Sequence, residues 1–181
     1  MNPVDIIAEY YAPTSKAFET LIQHGKQVAQ KALACAGMVA ALKPDHVFLE
    51  NAAMLHDIGI FMTDSPGLGC RGRHPYICHG VLGAQLLRDR GLPDYALVCE
   101  RHVGIGISAE DIRHFSLPLP QRDMLPVTIE EQIICYADKF FSKNSNGCRE
   151  ANTVKQITRD LKSYGSDKVN RFQKWVRMFD K

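Results

Sequence analysis

Apolar residues recur at intervals of three and four along almost the whole chain, and no segment keeps the strict alternation of a half-buried strand. A helix returns to the same face about every 3.6 residues, so this spacing predicts an all-α fold, a helical bundle. Helices are expected at about residues 3–11, 15–36, 45–57, 75–90, 93–103, 108–115, 128–143, 152–163 and 166–179. The punctuation agrees: Gly37 and Gly91 suit helix ends, Pro93 suits a first turn, Ser108 suits an N-cap, and Thr128 with Glu131 reads as a capping box. Two loops, "MTDSPGLGCRGRH" and "SLPLPQRDMLPV", interrupt the pattern, and both are too short to link domains. With no internal repeat, residues 1–181 are expected to form one domain, with a core over about 15–143 and terminal helices over about 152–179.

Composition narrows the class. A chain of 181 residues, 45% hydrophobic and 23% charged, can bury a full core. A net charge of +2 is too small to imply a polyanion-binding surface by itself, so nucleic acid is not an expected partner; the basic stretch from Lys155 to Lys181 reads as a solvated helix face. No stretch approaches the ~18 uncharged apolar residues of a membrane span, and the first residues lack the basic start of a targeting signal. Six cysteines without a C-x-x-C pair fit a reducing, cytoplasmic setting.

Against this helical background a few residues are wrong for a plain core. In "NAAMLHDIGIFMTD" the apolar run stops at His56 and Asp57, and a buried carboxylate without a partner costs several kcal/mol. His24 shares a helix face with Ala17, Leu21 and Val28, and Asp138 shares one with Ile134 and Phe141. His79 has Leu82 and Leu86 beside it, and His102 follows Val98 and Cys99. Four histidines and two aspartates on inward faces would each need a separate buried partner, whereas one or two divalent cations neutralise them together. Imidazole and carboxylate suit Fe, Mn, Co, Ni or Zn, and the two oxygens of Asp57 suffice to bridge two ions. Gly80 and Gly83 near His79, with Ala52 and Ala53 before His56, let helices approach closely.

His24, the adjacent His56 and Asp57, and Asp138 resemble the ordered H...HD...D signature of the HD superfamily of metal-dependent phosphohydrolases, with "MLHDIG" as its central text. His79 and His102 are similar to the additional ligands of dinuclear members, which include bacterial diadenosine tetraphosphate hydrolases. "HGVLGAQLLRDRGLP", "ERHVGIGISAEDI" and "IEEQIICYADKFF" resemble a microbial HD group, and the likeness spans roughly residues 17–143. The resemblance implies that His24, His56, Asp57 and Asp138 hold one ion, and that Asp57 bridges to a second held by His79 and His102. It departs in two places. Ile60 stands where many relatives carry a lysine, and the GYP motif of the HD-GYP branch is absent.

Such a site implies hydrolysis of a phosphomonoester or phosphodiester in a small, nucleotide-like substrate by a metal-activated water, with Asp57 at its centre. Cationic contacts to phosphate are expected from Arg71 and Arg73, with Arg101 and Lys139 as further candidates and Arg73 foremost. His74 is read as an acid, a phosphate contact or a bystander, while His46 and His114 are read as surface residues. Trp175, with Phe172 and Phe179, is expected to dock the last helix on the core. Two other readings compete: a non-catalytic nucleotide or metal-binding regulator, and a helical adaptor with a basic C-terminal helix.

Overall fold

A computed structural model describes residues 1–143 and 151–180, which excludes Cys148 and Lys181. The helices are α1 (Pro3–Ala8), α2 (Lys16–Met38), α3 (His46–Leu55), α4 (His79–Asp89), α5 (Pro93–Arg101), α6 (Ala109–His114), α7 (Ile129–Asp138), α8 (Val154–Leu161) and α9 (Ser166–Phe179). The all-α reading therefore holds. Strand pairing among the described residues is confined to a hairpin of two-residue strands, β1 (Asp64–Ser65) and β2 (Cys70–Arg71), paired antiparallel, and two isolated bridges, Thr63 with His74 and Ile107 with Met124.

The capping chemistry sets most boundaries. Asp45, Ser108 and Thr128 each accept a backbone N–H three residues on, and Pro93 opens α5. Gly37 lies inside the last turn of α2, whereas Gly91 follows α4 with φ +73°, a conformation that costs glycine little. Thr128 forms only half of the expected box, because the Glu131 carboxylate accepts from Val127 N rather than Thr128 N and binds Arg101 at 2.8 and 3.0 Å.

One boundary differs by more than fraying. The helix expected over 128–143 ends at Asp138, five residues early. The carbonyls of Lys139 and Phe140 accept from Asn152 Nδ2 at 3.2 Å and Asn152 N at 2.8 Å, so a residue from beyond the turn takes the acceptors a continuing helix would use.

Long helix α2 runs through two apolar clusters. Val28, Ala32, Cys35 and Ala36 pack with Leu49 and Ala53 of α3, Ile133 to Ala137 of α7, and Phe172, Trp175 and Phe179 of α9. Ala17 and Leu21 pack instead with Ile7 of α1, Leu55, Ile58, Ile60 and α4–α5. Fully burying each large side chain contributes about 1.5–3 kcal/mol, so these clusters carry most of the stability. His24 falls between Leu21 and Val28, at the seam of the two. The basic C-terminal helix is part of the core: Phe172 and Trp175 are buried, Trp175 Nε1 donates to Gln132 Oε1 at 3.1 Å, and Lys168 is paired with Asp111 at 2.6 Å.

Near the end of α5, Glu100 binds Arg88 of α4 and accepts from Arg122 Nε at 2.9 Å, fixing the helix end that carries His102. Burial would raise the Glu100 carboxyl, but the two guanidiniums outweigh it and hold the group below its ordinary 4.5. A depressed carboxylate stabilises the fold above pH 4.5 and loses that contribution as pH falls through its folded-state value. Because both arginines are partly exposed, Glu100→Gln is expected to cost about 1–2 kcal/mol at pH 7, less than a fully buried pair. In urea melts the gap between wild type and variant should narrow below pH 4.5; a constant gap would contradict this assignment.

Candidate metal centre

Five of the six ligand-type residues sit at helix ends. His56 caps the C-terminus of α3 and Asp57 follows it, His102 caps α5, Asp138 ends α7, and His79 opens α4. Three helix C-termini thus face one point, and their partial negative charge favours a cation there. His24 comes from the middle of α2. Close approach depends on glycine: a Cβ on Gly59 would lie 2.3 Å from the His79 carbonyl oxygen, and one on Gly80 would lie 2.6 Å from that of Cys99. Any side chain at these positions would push the HDIG segment off α4, or α4 off α5. Tyr11 pins the same segment from the other side, donating to the Ile58 carbonyl at 2.8 Å and accepting from Phe61 N at 2.9 Å.

The donor atoms form two groups that share Asp57: His24, His56, Asp57 and Asp138 in one, and Asp57, His79 and His102 in the other. In the first, His24 Nε2 lies 3.2 Å from His56 Nε2, 3.0 Å from Asp138 Oδ1 and 3.4 Å from Asp57 Oδ2. His79 Nε2 and His102 Nε2 are 3.2 Å apart, and they lie 3.4 and 3.5 Å from Asp57 Oδ1. Ligands about 2.0–2.2 Å from a common ion at tetrahedral or octahedral angles are spaced about 2.9–3.6 Å from one another, so both groups have the spacing of a coordination shell.

The hydrogen bonding fits a cation as well. Nδ1 of His56, His79 and His102 donates to the backbone carbonyls of Ala53, Tyr76 and Cys99 at 2.7, 2.6 and 2.8 Å. That fixes the tautomer in which each Nε2 presents a lone pair to the centre. Facing lone pairs repel unless a proton or a metal lies between them. Neither oxygen of Asp57 accepts an aligned hydrogen bond, although the residue is only 2% exposed. A buried carboxylate left in that state is costly, and a divalent ion on each oxygen removes the cost.

Electrostatics point the same way. Burial lowers His24, His79 and His102, with His79 at about 3, so these imidazoles are neutral and free to coordinate. His56 differs: burial works against its charge, but Asp57 and Asp138 outweigh it and raise this residue to about 9, so a metal ion held here would replace the proton on its Nε2. Asp57 and Asp138 resist burial through neighbouring His56 and Lys143, and both stay well below the ordinary carboxylate range.

Lys143 was not singled out by its sequence context. Its Nζ lies 2.7 Å from Asp57 Oδ2 and 3.6 Å from Asp138 Oδ1. The centre opens into a cavity of about 480 Å³ lined by Ser65, Leu68, Tyr76, Val103, Phe141 and Lys143, among others. Lys139 also lines it, with Nζ 3.9 Å from Asp138 Oδ2. The remaining candidates for substrate contact lie elsewhere. Arg101 is tied to Glu131, while Arg71, Arg73 and His74 are exposed on or beside the β1–β2 hairpin and do not line the cavity. His46 and His114 are exposed.

If the donor set holds metal, loading should stabilise the fold. At a free-ion concentration one hundred times the dissociation constant the gain is about 2.7 kcal/mol, which in a chain of this size raises Tm by roughly 5–10 °C. Adding Mn²⁺ or Zn²⁺ to chelator-treated protein in a thermal melt tests this; coincident melts with and without the ion would contradict it.

The HD-domain family model matches residues 21–142. An uncharacterized Methanocaldococcus jannaschii protein is 37% identical over 125 residues, covering 67% of this chain and 66% of that protein. A tRNA (cytidine(56)-2'-O)-methyltransferase of Thermoplasma volcanium is 36% identical over 127 residues, covering 70% of this chain and only 33% of the enzyme. The chain thus spans less than two thirds of these relatives' own length. Among solved structures, the HD domain of the L. monocytogenes phosphodiesterase PgpH superposes with a TM-score of 0.55 at 15% identity, covering 97% of this chain and 96% of that domain. The same domain in complex with cyclic-di-AMP gives 0.52 at 16% identity, covering 97% and 93%. At those identities the likeness is one of fold, and it agrees with the matched family model and the buried histidine–aspartate cluster: the chain belongs to the HD-domain family.

Proposed function

We propose that the chain is a dinuclear, metal-dependent phosphohydrolase that cleaves a phosphoester bond of a nucleotide-like substrate, with residues 1–181 acting as one HD unit. The observation that carries this reading is the pair of donor groups meeting at Asp57. Two divalent ions in such a set supply an activated water and neutralise the charge of the reacting phosphoryl oxygens. His24, His56 and Asp138 would complete one site with Asp57, and His79 and His102 the other. The carbonyl contacts at Nδ1 hold three imidazoles in the coordinating tautomer, so little reorganisation is needed when substrate arrives.

The cavity supports a nucleotide-like substrate: its volume of about 480 Å³ suits a ligand of that size, and Tyr76, Leu68, Val103 and Phe141 line it together with His79, His102 and Asp138. Burial pushes the Tyr76 phenol up to about 12, so its hydroxyl stays protonated as a hydrogen-bond donor. The cyclic-di-AMP complex of the PgpH HD domain supports the same substrate class.

Metal counting and turnover test the reading together. Asp57→Ala should lose nearly all bound metal and all activity, whereas His79→Ala and His102→Ala should keep about one equivalent and lose most of kcat. The assay is elemental analysis followed by a panel of cyclic dinucleotides, nucleoside mono- and polyphosphates and bis(p-nitrophenyl) phosphate with the identified metal. Full metal content and full activity in the His79 and His102 variants would reduce the site to one ion, and absence of metal-dependent turnover across the panel would favour a metal-binding regulator.

A further inference from the structure

Lys143 places a cation inside the donor cluster, where it cannot itself ligate a metal while protonated. It reaches Asp57 Oδ2 and Asp138 Oδ1, the same oxygens that face His24 and His56. Its side chain is 13% exposed, and it stands in the cavity wall beside Tyr76, whose hydroxyl interacts with the ammonium. The ammonium is held by two carboxylate oxygens, and its charge can equally be met by another anion.

The other cations near the cavity are worse placed. Arg101 is spent on Glu131, and Arg71 and Arg73 lie outside the lining. Lys139 is next to Asp138 but 3.9 Å from its nearer oxygen. Once divalent ions neutralise Asp57 and Asp138, nothing holds Lys143 on those carboxylates, and its flexible four-carbon stem leaves the ammonium at the cavity floor where a phosphoryl group must sit. We propose that Lys143 is a substrate-binding residue that contacts a non-bridging phosphoryl oxygen, a role that rests on the phosphohydrolase reading above.

The test uses the full chain loaded with Mn²⁺, as wild type, Lys143→Met and Lys143→Arg, with inorganic phosphate as the probe in calorimetry and bound metal counted separately. Lys143→Met should keep the wild-type metal content and bind phosphate about tenfold more weakly or worse, and Lys143→Arg, which retains the charge, should recover most of the affinity. Equal phosphate affinity in the Met variant at full metal content would overturn the proposal. Loss of metal in that variant would overturn it too, since Lys143 would then be a support of the ligand set. Wild type that binds Mn²⁺ but no phosphate would defeat the phosphohydrolase reading along with this one, so the two failures are distinguishable.

Discussion

Asp57 is only 2% exposed and neither of its oxygens accepts an aligned hydrogen bond, so its charge has to be met by cations. Much of the structure follows from that requirement. Four imidazoles turn Nε2 toward it, three of them fixed by a carbonyl at Nδ1. Three helix C-termini end beside it, although each brings partial negative charge and none could be stabilised there by another anion. Gly59 and Gly80 remove the side chains that would keep the HDIG segment, α4 and α5 apart.

A centre of this kind subtracts from the stability of the fold, and its position shows how the loss is offset. It lies at the seam between two apolar clusters that α2 threads, so the stabilising contacts stand on both sides of the charged groups. Polar pins hold the helix ends in register. Tyr11 fixes the segment after Asp57, Glu100 joins α4 to α5, and the thiols of Cys99 and Cys135 donate to the carbonyls of Leu55 and His102 at 3.2 Å. The buried thiols thus serve helix ends next to the ligands. No described helix is long and apolar enough to cross a membrane.

The helical spacing of apolar residues and the caps at Asp45, Pro93, Ser108 and Thr128 made the architecture legible, because these signals are local. The ligand-type residues were legible for a different reason: an acid or imidazole on an apolar face contradicts its surroundings, and His24 and Asp138 do so plainly. Lys143 carried no such signal. Its segment continues the helical pattern of α7, and the acceptors that end the helix at Asp138 are taken by Asn152, a contact that no local reading of "ADKFFSK" contains. Arg71 and Arg73 show the converse. They are near His79 in sequence, yet the β1–β2 hairpin leaves them exposed, and so short a ladder leaves no periodicity to read.

The claim on which the account turns is that a single buried carboxylate serves two cations. Anomalous diffraction from crystals of the full chain grown with Mn²⁺ measures this directly. The account predicts two peaks about 3.5–4 Å apart, one on each oxygen of Asp57, the first among His24, His56 and Asp138 and the second against His79 and His102. A single peak, or two peaks of which Asp57 touches only one, would contradict it.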